Sequence, residues 1–488
     1  MGHGTDQMTD LRWAISIIVA GLAVAPNRAI AQSGEGRPPN IIVFLADYLG
    51  WRDVGAYGNR FIRTPNIDRL ARAGLRVERA FGTSPQCSPS RISMLTGKYP
   101  HTTRTEDLHT PLQGGERILP SLLQTQGYFT GHMAKTHYGS DAERQFQWYS
   151  PIVADSFPSF LREVGDRAFF LWVGFREPHR PYHDSVPRVH QPARVLVPPY
   201  LADTPETRRD LARYYDAVSM MDAEIGRVMA ELERRKLTEN TLVIFLSDNG
   251  APFPREKGTL YDAGTRTPLI LTWPKVITRG QIYGRGIVST IDLPGTLLEV
   301  AGSTDADTKR RSFAGLLTNP GGHAGSEYVF SERNWHDCDE HQRAVRTSRF
   351  KLIRTDAYTE LPLCTAADVG DSPSFRALRT RAKSGRLTPA QQRLFEAPRA
   401  RLELYDVAAD PWELRNVAEE PRYARELREL STVLQKWMEQ SDDFPAAFRV
   451  RDDNTDRITG LPFTSKVPLL RNTELPRSEE RWGEQGPT

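Results

Sequence analysis

The sequence predicts an α/β protein built on a parallel or mixed sheet, and three observations carry that prediction. Apolar runs of strand length recur along the chain and stop abruptly at polar residues. Segments of helical periodicity alternate with them. Of the 488 residues, 39% are hydrophobic and 26% charged, a composition that supports a sizeable buried core rather than disorder.

Residues 40–46 (NIIVFLA) read as a fully buried strand followed at once by Asp47. Residues 241–246 (TLVIFL) are a second, followed by Ser247, Asp248, Asn249 and Gly250. Residues 168–173 (AFFLWV) are a third, opening a loop that carries His179 and His183. Residues 128–134 (YFTGHMA) are a weaker fourth, followed by Lys135 and His137. Open parallel sheets bind ligands beyond the carboxyl ends of their strands, so these polar residues are the first candidates for chemistry. His183, and His132 within the fourth strand, read as structural.

The longest helix has Thr204 as N-cap and Pro205 at its first position. Leu211, Tyr214, Val218, Met221, Ile225, Val228 and Leu232 recur at three- and four-residue spacing and predict one face packed on the sheet. Met220 and Met221 read as core filler rather than metal ligands. Residues 328–330 and 344–354 read as strands of a second, antiparallel sheet.

Charge and cysteine usage exclude several function classes. With 64 basic and 61 acidic residues, a net charge of +3 gives no argument for a nucleic-acid partner. Three cysteines exclude a disulfide-stapled scaffold, a Cys-rich zinc site and an iron–sulfur cluster. Near the N-terminus, Arg12 precedes an apolar stretch at 13–25, and Ala29-Ile30-Ala31 follows as a small-x-small cleavage pattern. That stretch is too short to cross a hydrocarbon core of ~30 Å, so residues 1–31 read as a secretory signal. The expected protein is exported, periplasmic or secreted, with no stable membrane span. In such a compartment Cys338 and Cys364 could pair.

The segment SPQCSPSR sets Cys87, Pro89 and Arg91 in a Cys-x-Pro-x-Arg pattern. Ser88 is expected to cap a helix, Pro89 to start it and Gly97 to end it. Cys87 would then sit just before a helix N-terminus, which favours anions, with the planar fork of Arg91 aimed at the same point.

These residues, with Leu95-Thr96-Gly97 behind them, resemble the signature of the type I sulfatases. Other landmarks follow in family order: ADYLGW at 46–51, TPNIDRLARAG at 64–74, AKTHYG at 134–139 and EPHRPY at 177–182. SDNG at 247–250, KGTLYDAGTRTPLI at 257–270 and LYDVAADPWELRNVA at 404–418 complete the series. The resemblance implies an alkaline-phosphatase-like fold, with a mixed, mainly parallel sheet flanked by helices and a smaller C-terminal α+β domain. It implies a catalytic domain at 38–322, the smaller domain at 323–440 and an extended tail at 441–488. Within it, 195–222, 248–254 and 403–430 look most like the N-sulfoglucosamine sulfohydrolases, although Lys257 stands where that subfamily can carry arginine. The implied substrate is a sulfate ester or sulfamate on a sulfated sugar, such as a glycosaminoglycan unit.

The family further implies that a maturation enzyme oxidises Cys87 to formylglycine, whose hydrate is the nucleophile. Asp47, Asp248 and Asn249, with residue 87, would hold a divalent ion; hard oxygen donors suit Ca2+, with Mg2+ as the alternative. Arg91, Lys135 and Lys257 would surround the sulfuryl oxygens with positive charge. Asp248 would assist deprotonation of the attacking hydroxyl, His179 with Lys257 would protonate the leaving group, and His137 would help expel sulfate. His109, His336 and Asp337 are candidates for contact with the sugar. One position departs from the pattern: the family usually has two adjacent aspartates at the first metal motif, and the second is Tyr48 here. A neutral phenol is a poorer ligand than a carboxylate. The rival readings are a phosphonate or phosphate monoester hydrolase with the same nucleophile, and a catalytically silent carbohydrate-binding protein.

Overall fold

The computed structural model describes residues 37–303 and 312–446. The expected signal at 1–31 and most of the expected tail at 441–488 lie outside the described residues.

Nine strands form one sheet: β1 (Asn40–Ala46), β2 (Leu75–Phe81), β3 (Phe129–Ala134), β4 (Trp148–Ser150), β5 (Phe169–Gly174), β6 (Thr241–Ser247), β7 (Arg266–Thr272), β8 (Gln281–Tyr283) and β9 (Val288–Ser289). Their order is β4-β3-β5-β1-β6-β7-β2-β8, with β9 also on β2. Only β7 runs against its neighbours, pairing antiparallel with β6 and β2. Among the described helices, those of eight residues or more are α1 (Pro65–Ala73), α2 (Cys87–Thr96), α3 (Phe157–Val164), α4 (Pro205–Arg234), α5 (Leu293–Val300), α6 (Pro373–Lys383) and α7 (Ala424–Gln440).

The period of two along β1 builds the layers. Ile42, Phe44 and Ala46 enter one core with Leu211, Val218, Met221 and Ile225 of α4, and with residues of α1 and α3. Ile41, Val43 and Leu45 enter the other with Ile92 and Leu95 of α2 and Leu293 and Leu297 of α5. A central strand buried on both faces must be apolar throughout, which is why NIIVFLA and TLVIFL are continuous rather than alternating. The cap of α4 is as expected: Thr204 Oγ1 accepts from the Thr207 N–H at 3.3 Å, ahead of Pro205.

A second sheet of four antiparallel strands has the order β10 (Val329–Arg333), β11 (Gln342–Arg346), β12 (Phe350–Thr355) and β13 (Leu402–Asp406). Residues 344–354 therefore make two strands, because the chain reverses at Thr347, whose N–H bonds the Phe350 carbonyl at 2.8 Å. Helix α7 covers one face through Leu430, Leu434, Trp437 and Met438. Two bonds tie β10 to the segment leading into α2: Glu332 N–H to the Thr83 carbonyl, 2.8 Å, and Ser331 Oγ to the Gly82 carbonyl, 2.7 Å. The loop after β10 is thereby brought to the carboxyl edge of the main sheet. Cys338 and Cys364, on either side of β11 and β12, are joined as a disulfide.

Candidate active site

Strand register creates the first pair of site residues. Ala46 lies opposite Ser247 in the parallel β1–β6 ladder, so the next residues, Asp47 and Asp248, leave the sheet side by side. The Asp248 N–H is anchored on the Ala46 carbonyl at 3.1 Å, and the Asp47 N–H on the Glu177 carbonyl at 3.0 Å. Lys135 leaves β3 next to the end of β5, its N–H on the Gly174 carbonyl at 2.6 Å. Gly174 is required there: a Cβ would lie 2.0 Å from the Lys135 carbonyl oxygen and 2.9 Å from Arg91 Nη1.

Helix α2 delivers the nucleophile candidate. All ten of its residues are buried, and Gly97 closes it at φ 68, its N–H on the Ser93 carbonyl at 2.9 Å. The expected Ser88 cap is corrected: Gln86 is the N-cap, Cys87 is already the first helical residue, and Pro89 sits two positions further in. Ser88 is otherwise engaged, its Oγ accepting from the His109 N–H at 2.8 Å. Ser90 Oγ donates to the Asp248 carbonyl at 2.6 Å and locks the helix to the end of β6.

Cys87, Asp47, Asp248 and Arg91 are fully buried and adjacent. Lys135 Nζ lies 2.5 Å from Asp47 Oδ2. Arg91 Nε donates to Asp248 Oδ2 at 2.8 Å and Nη1 to the Lys135 carbonyl at 3.1 Å, while Nη2 stands 3.5 Å from Asp47 Oδ1. The guanidinium expected to face a sulfuryl group is thus largely occupied by the two carboxylates, because two buried anions this close need a counter-charge.

The thiol of Cys87 is pushed up to about 12, chiefly by burial, with Lys135 opposing and the Asp47 and Asp248 charges adding to the shift. Burial thus opposes ionisation of the encoded thiol.

The metal candidates converge. One ligand atom each of Asp47, Cys87 and Asp248 lies within 4.8 Å of the others. Asp47 Oδ1 and Asn249 Oδ1 are buried without a hydrogen-bond partner, so two hard oxygens are left for a cation. This donor set fits Ca2+ or Mg2+. Asp248 is pushed up to about 6, mainly by burial, with Arg91 opposing and Asp47 adding to it. A metal held here would have to displace that proton, so the apparent affinity for a divalent ion should weaken progressively below about pH 6, approaching tenfold per pH unit, and level off above about pH 7. Calorimetric titration across pH 5–8 (roughly the range that brackets this ionisation) measures it.

The remaining candidates line the opposite side. Lys257 Nζ is held by Asp368 at 2.9 and 3.0 Å. Asp368, at the start of the short helix Ala367–Gly370, was not expected from the sequence. Burial would raise its carboxyl, but the Lys257 ammonium bonded to it outweighs that effect and holds it well below the usual range. His179 stacks on Tyr48, ring centroids 4.3 Å apart, and its Nδ1 is bonded to the Arg180 carbonyl. Burial and then Lys135 keep its pKa well below the ordinary histidine value. His137 is likewise depressed, by burial, Lys135 and His109, and neither ring nitrogen has a hydrogen-bond partner. His109 reaches the same spot, its ring 4.8 Å from that of His137.

His336 Nδ1 is bound to Asp337 Oδ2 at 2.9 Å, and the same oxygen accepts from the Ala367 N–H at 2.7 Å. Asp337 Oδ2 thus holds both His336 and the turn that carries Asp368. His336 Nε2 is buried without a partner. His132 is buried in β3 and His183 is exposed on its loop, as expected for structural residues. Tyr48, His109, His137 and Asp337 all adopt left-handed backbone, at φ 73, 70, 67 and 61. Such a concentration of disfavoured conformations is characteristic of functional sites.

The sulfatase family profile matches residues 39–303, more than half of the chain. The chain belongs to the sulfatase family. A second profile, N-sulphoglucosamine sulphohydrolase, C-terminal, matches residues 255–369 of this sulfatase. Human N-sulphoglucosamine sulphohydrolase is 32% identical over 464 residues, covering 84% of this chain and 91% of its own. An ulvan-active sulfatase of Formosa agariphila is 27% identical, covering 82% and 74%. Among solved structures, a protein in complex with its substrate D-glucosamine-2-N,6-O-disulfate superposes at TM-score 0.63 and 20% identity, over 83% of this chain and 99% of that one. The phosphonate monoester hydrolase of Agrobacterium radiobacter superposes at 0.63 and 18%, over 83% and 96%. These two likenesses establish the shared fold.

Proposed function

We propose that this sulfatase removes sulfate, as an ester or sulfamate, from a sulfated amino sugar of the glycosaminoglycan kind. The nucleophile is an oxygen on residue 87, generated by conversion of Cys87 to formylglycine by a maturation enzyme in an exporting host. The observation that carries this reading is the placement of Cys87: it is the first residue of a fully buried helix, and its Sγ lies within 4.8 Å of carboxylate oxygens of both Asp47 and Asp248, where an oxygen in place of the sulfur would share a cation site.

Three cations, Arg91, Lys135 and Lys257, and three carboxylates, Asp47, Asp248 and Asp368, surround residue 87 among the described residues. They balance, so a divalent ion would leave the site net positive and matched to an anionic sulfate ester. Asp47, Asp248, Asn249 and residue 87 would hold Ca2+ (or Mg2+), which when bound supplies Lewis-acid polarisation of a sulfate oxygen. Lys135 and Lys257 fix the remaining sulfuryl oxygens. Asp248 draws a proton from the attacking hydroxyl. Lys257 faces the leaving nitrogen or oxygen as a proton donor, and His179, with Nδ1 turned to the Arg180 carbonyl, presents Nε2 there and can share in that delivery once the negative charge of a bound sulfate ester raises its proton affinity. His137, neutral and unpartnered, takes the proton released as the nucleophile is regenerated. His109 and His336 Nε2 face the sugar.

A cavity of about 650 Å3, lined among others by Arg180, Tyr182, Arg209 and Asp368, adjoins the Lys257–Asp368 pair and gives the leaving sugar room. No described helix is long and apolar enough to cross a membrane. The affinity to the human sulphohydrolase and the C-terminal profile support an N-sulfated glucosamine unit as substrate.

One other reading is a phosphonate monoester hydrolase, because enzymes of that kind resemble this sequence in lacking a second aspartate at the position of Tyr48. Turnover of aryl sulfate, aryl phosphonate and N-sulfoglucosamine by the same Ca2+-loaded preparation separates them. A kcat/KM for N-sulfoglucosamine or aryl sulfate about 100-fold above that for the phosphonate is expected; preference for the phosphonate overturns the proposal.

A further inference from the structure

Tyr48 stands at the centre of the site, and neither the metal set nor the proton donors account for it. Its Oη is 2.9 Å from Cys87 Sγ. Its ring is held by the His179 imidazole and by Lys257 Nζ, 3.9 Å from the ring centroid. Its N–H donates to Asp248 Oδ1 at 3.2 Å, and it is 2% exposed. A bulky aromatic residue at φ 73 is a costly conformation that persists only when its surroundings impose it. Every one of these contacts serves to aim one hydroxyl at one atom of side chain 87.

We propose that the Tyr48 phenol is the hydrogen-bond donor that positions the oxygen nucleophile on residue 87. This rests on the reading of residue 87 as formylglycine. With the encoded thiol, Sγ–H donates to Oη. With an oxygen in that place, gathering negative charge as it attacks, the phenol is the partner that has a proton to give. A fixed neutral donor needs no reorganisation when charge develops, which makes it effective in a dry site. It would do by hydrogen bonding part of the nucleophile positioning that the metal otherwise does alone. The same bond stabilises the hydrate over the aldehyde, because hydrate oxygens are the better acceptors.

Tyr48→Phe tests this, because it deletes the hydroxyl and keeps the ring against His179 and Lys257. The measurements are aryl sulfate kinetics, Ca2+ affinity by calorimetry, and the hydrate-to-aldehyde ratio by 13C NMR of protein labelled at the cysteine β-carbon. The expected result is a kcat lower by about 100-fold with KM within about twofold. The hydrate-to-aldehyde ratio should fall by about threefold or more, the worth of one neutral hydrogen bond, with Ca2+ affinity unchanged. Unchanged kcat and unchanged ratio would overturn the proposal. A loss of activity in step with Ca2+ affinity would overturn it in favour of a metal-ligand role. A thiol resonance at position 87 in active wild-type enzyme would instead sink the formylglycine reading, and is seen before any variant is made.

Discussion

Cys87→Ala is expected to lower kcat for an aryl sulfate by a factor on the order of 10⁴, because among the described residues it removes the one side chain placed to become the nucleophile. Cys87 is fully buried, but the deleted group is a single atom at a helix start, so the cavity term is small, about 1 kcal/mol. Thermal unfolding should therefore shift by only a few degrees while turnover disappears. The same variant decides between an enzyme and a silent carbohydrate-binding protein. A binding protein would bind sulfated oligosaccharide equally well with and without the thiol and show no turnover in either form. Activity that survives the substitution would exclude the proposed chemistry.

Arg91→Met is expected to have the largest effect on stability. The guanidinium is fully buried, bonded to Asp248 and close to Asp47, and its removal leaves two carboxylates facing each other with Lys135 as the remaining close cation. Breaking a buried pair from one side costs about 3–5 kcal/mol, since the desolvated partner is left uncompensated. The signature of this origin is its dependence on metal: saturating Ca2+ should restore a large part of the lost melting temperature, because the ion replaces the missing charge between the same carboxylates. A loss that Ca2+ does not repair would place the role of Arg91 in packing instead.

Much of the site was legible because parallel-sheet geometry turns strand ends into neighbours. Asp47 and Asp248 are two hundred positions apart, yet each follows a continuous apolar run, and two such runs pair in register at the centre of a sheet. Lys135 and the His179 loop follow from the same rule applied to β3 and β5. The motif around Cys87 located the helix that faces these ends, although the helix starts earlier than its serine and proline suggest. A capping preference is a local tendency, and a tertiary bond from His109 to Ser88 outweighs it.

What the sequence hid were partnerships. Asp368 is a solitary acid on a one-turn helix, 111 positions from Lys257, and nothing local marks it. The only available signal was a physical requirement: a buried lysine beside the leaving group needs a counter-ion when no substrate is bound. The buried partners of Arg91 (Asp47 and Asp248) and of Asp337 (His336 and the Ala367 N–H) likewise have no mark in the local sequence. At Tyr48 the sequence shows only a missing carboxylate; the contact with residue 87 depends on the left-handed turn after β1.

The most direct test is the chemical state of residue 87 in a preparation that turns over aryl sulfate. Trypsin should release the peptide spanning 80–91, and an aldehyde-specific hydrazide added beforehand should mark it on residue 87 in proportion to specific activity. Active enzyme whose peptide carries only an intact, alkylatable thiol would contradict the oxygen-nucleophile mechanism outright.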